Sequence, residues 1–250
     1  NFVGMVPTIL QTILINSKKL KKKPRHLKFI GCGSSILSKS TQDKFEKKFK
    51  TKVSNLYGMS EVGLCTFDNP YEKKRKTGTI GDPLIGVKMK LFKNKKVLLK
   101  ENKIGEIGIK TPAIFSGYIG LKKIKKMFVD NYFLSGDLAK KIDNKFFFID
   151  RNKDIIIKGG INISPQEIDN CLQSHLSIKE SATIGIKDNF FGENVKSFVV
   201  LARNKKMNEK QIIKYAKSKL GFFKTPVEIE FKKELPKTQS GKILKRFLKK

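Results

Sequence analysis

Between residues 27 and 57 the chain changes from strand to helix character and back within about thirty residues, and this most limits how it can fold. Residues 27–30 read as a strand running into Gly31, Cys32, Gly33, Ser34 and Ser35. Residues 38–49 carry apolar or helix-forming side chains at helical spacing, and 53–57 read as a second strand. Strand, helix and strand at this spacing predict a parallel α/β layer, entered through a helix over 6–15 that Pro7 opens. In such layers ligands sit beyond the carboxyl ends of the strands, here 31–35 and 57–61.

From Gly78 the texture changes. Glycines punctuate short strands at 87–92 and 106–110, and Asp143-Asn144 is a hairpin turn between strands over 138–142 and 145–149. This pattern predicts a small antiparallel barrel or sheet. A further unit starts near Lys153. It has a strand at 155–157, a turn at Gly159-Gly160, and a helix opened by Ser164, Pro165 and Glu167 in a capping-box pattern. Strands at 181–187, 195–201 and 227–231, a helix over 208–220 and a closing helix from Gly241 complete it. The expected fold class is α/β plus α+β: an α/β layer over 1–77, a β-barrel-like subdomain over 78–152, and an α+β domain over 153–250.

Composition narrows the function classes. No apolar run is long enough to span a bilayer, and the first residues lack a basic-then-apolar signal pattern. Three scattered cysteines without metal-ligand spacing point to reduced thiols and a cytoplasmic location. The net charge of +32 invites a nucleic-acid reading, but 49 of the 54 basic residues are lysines, spread along the chain with runs at 18–23, 73–76 and 122–126. Base and bidentate phosphate recognition favour arginine. Weak, salt-sensitive polyanion binding is therefore expected as a side effect, with no specific nucleic-acid partner.

Four segments carry groups suited to chemistry. In 56–61, Tyr57, Ser60 and Glu61 offer a ring to stack on a base, a hydroxyl for a phosphate and a carboxylate for Mg²⁺; the alternative is a strand-to-helix turn that Ser60 caps. Asp137, beside Gly136, reads as an exposed turn carboxylate able to accept both hydroxyls of a ribose, or as an ordinary Asx turn. The charged run 149–154 suits an interdomain hinge or a solvated loop, and Gly159-Gly160 permits close approach of a thin ligand. Lys242 lies on a turn bounded by Pro236 and Gly241, before Ile243, Leu244 and Phe247 at helical spacing. It suits delivery of one charge to a phosphate or carboxylate, or else belongs to a basic surface tail.

Taken in order, YGMSE (57–61), LSGDLA (134–139), IDRNKDIIIKGGINISPQEID (149–169) and LPKTQSGK (235–242) resemble the core signatures of the adenylate-forming superfamily. That group includes acyl-CoA synthetases, aryl-CoA ligases, luciferases and peptide-synthetase adenylation domains. The resemblance runs from about Met5 to the last residues. It implies ATP-dependent activation of a carboxylate to an acyl-adenylate, followed by thioester formation with coenzyme A, as in fatty acid metabolism. By this resemblance Tyr57 stacks on adenine, with Gly58 beside it and backbone of Gly31, Gly33 and Ser34 near it as nucleotide-binding residues, Ser60 contacts the α-phosphate, and Glu61 holds Mg²⁺. Asp137 and Arg151 bind the ribose of ATP or AMP. Lys153 is the hinge of a mobile C-terminal domain, Gly159 and Gly160 line the pantetheine passage, and Lys242 bridges carboxylate and α-phosphate.

Asp150-Arg151 and the 159–165 run look most like acyl-CoA ligases, with loading of an acyl carrier protein as an alternative and a non-catalytic nucleotide-binding remnant as another. Ile161 departs from the usual glutamate of that run, and Lys158 replaces a usual small residue. The superfamily's Ser/Thr/Gly-rich phosphate loop has no counterpart here. The chain is accordingly expected to be the C-terminal half of a longer enzyme, with little turnover of its own. Acyl-pocket residues are expected partly upstream and partly around 5–10, 32–35 and 59–64, where apolar side chains suit fatty or aryl acids alike.

Overall fold

The computed structural model describes residues 1–16, 26–98, 100–120, 125–239 and 241–249. The lysine loop over 17–25 and most of the 122–126 run lie outside them. The chain divides into two compact units, Asn1–Phe148 and Ile149–Lys250.

The first unit opens with strand β1 (Phe2–Met5), which the sequence reading had not identified, and helix α1 (Pro7–Asn16). Strand β2 (Phe29–Cys32), helix α2 (Lys39–Phe49) and strand β3 (Lys52–Met59) follow. Strands β1, β2 and β3 pair in parallel, with Cys32 opposite Asn55. Ser38 caps α2 by accepting from the Thr41 amide, and Lys50 ends the helix in the left-handed region. Leu10, Ile30, Leu37, Phe45 and Val53 bury the layer's interior. Strand β3 then turns into β4 (Gly63–Phe67) as an antiparallel hairpin, so Ser60 caps no helix; β5 (Asp82–Pro83) closes the sheet.

A second sheet holds β6 (Lys88–Lys93), β7 (Lys96–Val97), β8 (Ile104–Lys110), β9 (Phe128–Val129), β10 (Tyr132–Ile142) and β11 (Lys145–Arg151). Its order is β11-β10-β8-β6-β7, with β9 on β10. The path has two ends, so of the barrel and sheet alternatives the pairing is that of a sheet. Asp143 and Asn144 both have positive φ, 49° and 61°, which gives the expected hairpin turn a primed geometry. Val62, Ile80, Leu91, Ile107, Phe133 and Phe146 form this part's core. Burial alone pushes Cys32 up to about 12 and Cys65 up to about 11. Iodoacetamide at pH 8 is therefore expected to reach half-buried Cys171 first and to label Cys32 and Cys65 only on unfolding; equal native labelling of all three, read by peptide mapping, would contradict this burial.

The second unit contains β12 (Ile156–Lys158), β13 (Ile161–Ile163), α3 (Pro165–Gln173), β14 (Ile178–Asp188), β15 (Gly192–Leu201), α4 (Glu209–Lys224) and β16 (Glu228–Phe231). The sheet runs β13-β12-β15-β14, with β16 parallel to β15. Ile156, Ile168, Leu172, Val195, Val199 and Ile212 pack between the sheet and α3 and α4. The expected closing helix does not form. Gly241 has φ 80°, Ile243 bridges to Lys237, and the Leu244 amide donates to the Pro236 carbonyl at 2.8 Å. Those backbone groups are spent across a hairpin-like turn rather than four residues back, leaving only a 3-10 turn at Lys245–Phe247. Among the described residues no helix is long and apolar enough to cross a membrane.

Candidate nucleotide site and lysine turn

In the first unit two strand irregularities bring distant residues together. The β3–β4 register shifts between Tyr57 and Gly58, and the β10–β8 register shifts between Leu134 and Leu138. A bulge re-aims the side chain it carries. The Tyr57 hydroxyl consequently donates to Asp137 Oδ2 at 2.9 Å, across 80 positions of sequence. Asp137 is thus not the exposed turn residue expected from sequence: it lies inside β10 and is 4% exposed. Gly136, at φ 74° with its amide bonded to Glu106 at 2.9 Å, makes the bulge that turns Asp137 inward. A glycine inside a strand pattern is the sequence signal for this geometry. Burial first, then the Asp137 carboxylate, push the Tyr57 phenol well above its ordinary value, so it remains a proton donor.

Gly58 belongs here for a steric reason. A β-carbon on it would lie 2.3 Å from the Gly63 carbonyl oxygen of β4. At Gly33 a β-carbon would meet Leu56 Cβ at 3.2 Å, which places the end of β2 beside the residue preceding Tyr57. Gly31 is buried within β2, and Ser34, at φ 66°, is exposed on the loop that leaves it. Ser60 is exposed on the hairpin turn and Glu61 is half-buried next to it. Glu61 Oε1 accepts from the Tyr118 hydroxyl at 2.6 Å, and its carbonyl accepts the Phe115 amide at 2.8 Å. That hydrogen bond to Glu61 is the main reason the Tyr118 phenol is raised. Phe115 packs edge-on against Tyr118 and against Phe133 of β10, so the group that braces Glu61 is anchored on the strand that carries Asp137. Sequence reading missed Phe115 and Tyr118; their only signal was two aromatics in a proline- and glycine-containing segment.

Mg²⁺ usually keeps waters and takes one or two carboxylates plus substrate phosphates. The described residues hold no cluster of three or more candidate metal ligands, whereas Glu61 offers one carboxylate at the strand end. That donor set fits an ion carried in with a phosphate substrate.

In the second unit Asp150 anchors the charged run. It is 4% exposed and accepts from Ser164 Oγ at 2.7 Å and from the Gln166 amide at 2.8 Å, while its other oxygen takes the Arg151 amide at 2.8 Å. The sequence signalled only a solvated charge. Lys153 is exposed within a 3-10 turn at Asn152–Asp154. Gly159 and Gly160, at φ 55° and 78°, form the two-residue turn between β12 and β13. The Gly159 amide donates to the Phe191 carbonyl at 2.9 Å. The unusual Lys158 is 2% exposed, with its ammonium 5.3 Å and 5.5 Å from the ring centres of Phe191 and Phe222. Burial lowers its pKa, and Asp188 partly opposes this.

The Lys242 turn is closed by its own backbone. The Thr238 amide donates to the Lys242 carbonyl at 2.9 Å and the Lys242 amide donates to Thr238 Oγ1 at 3.1 Å. Leu235 before the turn and Leu248 after it are buried with Ala182, Ile184, Phe198 and Val200. Lys245 Nζ donates to Asp169 Oδ2 at 3.1 Å. Burial disfavours that ammonium, but Asp169, Asp150 and Asp154 outweigh the penalty and hold Lys245 charged.

Comparisons with known proteins identify relatives of the chain. The AMP-binding enzyme model matches residues 1–119, and the AMP-binding enzyme C-terminal domain model matches 167–242. A long-chain-fatty-acid–CoA ligase of Bacillus subtilis is 37% identical over 219 residues, covering 86% of this chain and 39% of that protein. Oxalate–CoA ligase of Saccharomyces cerevisiae is 34% identical over 253 residues, covering 99% of this chain and 46% of that one. The crystal structure of ATP-bound MatB from Rhodopseudomonas palustris matches with a TM-score of 0.92 at 31% identity, over all of this chain and 50% of that one. The chain therefore spans about half, or less, of the length of these relatives. On both sequence and structure, it belongs to the adenylate-forming AMP-binding enzyme family.

Proposed function

We propose that the protein carrying this chain is an AMP-forming acid–thiol ligase. Its first half-reaction joins a carboxylate oxygen to the α-phosphorus of ATP as the bond to pyrophosphate breaks. In the second, a thiol adds to the acyl carbonyl, the bond to AMP breaks, and the thiol proton leaves to solvent. The observation that carries the reading is the Tyr57–Asp137 contact beside the end of β2, with Glu61 on the adjoining turn. It sets an aromatic face and a carboxylate where an adenosine needs a stacking surface and a hydroxyl acceptor.

In this reading Tyr57 and Gly58 bind adenine with backbone of Gly31, Gly33 and Ser34, and Asp137 and Arg151 hold the ribose. Ser60 donates to the α-phosphate, and Glu61 is the magnesium ligand. Bound Mg²⁺ would neutralise phosphate charge, and Lys242 brings an ammonium to the meeting carboxylate and phosphate anions. Lys153 is the pivot between a domain over 1–152 and a domain over 153–250, and the Gly159-Gly160 turn lines the thiol's approach. Coenzyme A is the acceptor; the family's carrier-loading members make a carrier-protein phosphopantetheine the second reading, kept open by Lys158 and Ile161. Because one similar protein is named for long-chain fatty acids and another for oxalate, the reading stops at a carboxylic acid. Three free cysteines support a cytosolic setting.

The test is to incubate the whole protein with ATP, a panel of fatty, aryl and short dicarboxylic acids, and either coenzyme A or a phosphopantetheinylated carrier. AMP, pyrophosphate and thioester are expected in equal amounts. Formation of ADP and phosphate without AMP would sink the reading, and thioester on the carrier alone would move it to the second acceptor.

A further inference from the structure

The turn bearing Lys242 is a short loop without helical support on its own strand, yet its proposed task needs one fixed geometry. Two kinds of contact hold the segment around it. One is apolar: Leu235 and Leu248 are 3% and 8% exposed in a shared core. The other is charged: Lys237 Nζ reaches Glu180 Oε2 of β14 at 2.6 Å, and Lys245 Nζ reaches Asp169 Oδ2 of α3 at 3.1 Å.

Asp169 is built for that contact. It sits on α3, is 3% exposed, and its second oxygen accepts from Thr183 Oγ1 at 2.7 Å. Thr183 in turn shares a 2.7 Å hydrogen bond with Ser197 of β15, so the carboxylate cannot swing without disturbing two strands. At its other end α3 is gripped by Asp150, next to Arg151 and Lys153. The Lys245–Asp169 pair therefore joins the Lys242 turn to the same helix that holds the hinge segment. A buried pair of this type gains little net stability over an apolar substitute, so its value lies in the geometry it imposes.

We propose that Lys245 is a positioning residue for adenylation: paired with Asp169, it locks the Lys242 turn to α3 so that motion of the second unit is passed to the Lys242 ammonium without slack. The proposal rests on the role given above to Lys242. A loosened turn misplaces the ammonium by about an ångström, which costs on the order of 10²-fold where chemistry depends on orientation. The thiol step does not use that ammonium and is spared.

The experiment uses the whole protein and reads the two half-reactions apart: carboxylate-dependent ATP–pyrophosphate exchange, and thioester formation from supplied acyl-adenylate. Lys245→Met is expected to lower exchange kcat by roughly 10- to 100-fold with KM for ATP and the thiol step within about twofold, and Lys245→Arg is expected to restore most of the exchange. A parallel loss in both half-reactions, or exchange unchanged in Lys245→Met, overturns the proposal. If Lys245→Met does not fold, the uncharged double variant Lys245→Met/Asp169→Asn replaces it. Low exchange with an intact thiol step there supports the tether, and normal exchange overturns it by showing that the pair only balances charge. Lys242→Ala separates the two levels: exchange surviving in it removes the role of Lys242 itself, whereas exchange lost there but intact in Lys245→Met removes the tether alone.

Discussion

Replacing Lys242 with alanine is expected to lower carboxylate-dependent ATP–pyrophosphate exchange by roughly 10²–10³, the usual effect of deleting one preorganised charge at a reacting oxygen. Thioester formation from supplied acyl-adenylate should be almost unchanged. The asymmetry follows from the chemistry. Joining a carboxylate to an α-phosphate forces two anions together, so an ammonium between them lowers that barrier, whereas a thiol attacking an acyl-adenylate has no such pair to bridge. The substitution should also be structurally mild. The turn is closed by the backbone of Thr238 and Lys242 and by Thr238 Oγ1, none of which the change removes, and its flanks are held by buried Leu235 and Leu248. Stopped-flow or exchange assays of each half-reaction decide the point; equal loss in both would show that Lys242 supports the fold or the acyl-adenylate rather than the first step.

A large stability effect is expected from Gly58→Ala. Its new β-carbon would sit 2.3 Å from the Gly63 carbonyl oxygen and 2.9 Å from Leu64 Cα, both backbone atoms of β4. No side chain can rotate away to relieve this. Strand β4 cannot retreat cheaply either, because its Cys65 and Thr66 are fully buried. Overpacking against backbone at such a site costs about 3 kcal/mol, on the order of 10 °C in Tm for a unit of this size. The neighbouring Tyr57 ring would shift with the strand, so ATP affinity should fall as well. Gly4→Ala is the matched control, since a β-carbon there has no heavy atom within 4 Å. A wild-type Tm and ATP affinity for Gly58→Ala, by scanning and titration calorimetry, would remove the steric account of this glycine.

Much of the fold was legible because local signals agreed with the tertiary outcome. Ser38 and Ser164 cap α2 and α3, Pro165 is at the first turn of α3, and Asp143-Asn144 makes its hairpin. Failures came where long-range pairing overrode local pattern. Residues 241–248 have helical spacing of apolar side chains, but Ile243 pairs back to Lys237 and the segment never winds beyond one 3-10 turn. Asp137 reads as a turn beside a glycine; only the partner strand β8 turns that glycine into a bulge and the aspartate inward. Of the candidate site, the residue types were readable and their meeting was not. Nothing local to Tyr57 announces a partner 80 residues away, and the braces Phe115 and Tyr118 carry no motif at all.

Asp150 has a kinetic meaning. Its carboxylate takes the Ser164 hydroxyl and the amides of Gln166 and Arg151, so the residues from 150 to 166 form a closed loop with Lys153 inside it. A pivot at Lys153 that leaves Asp150 with the strand before it must first open that loop. Under the proposed pivot at Lys153, the swing is an activated event with a threshold, not free diffusion about a single bond. Its rate should climb steeply with temperature, as the release of several hydrogen bonds from a buried anion requires.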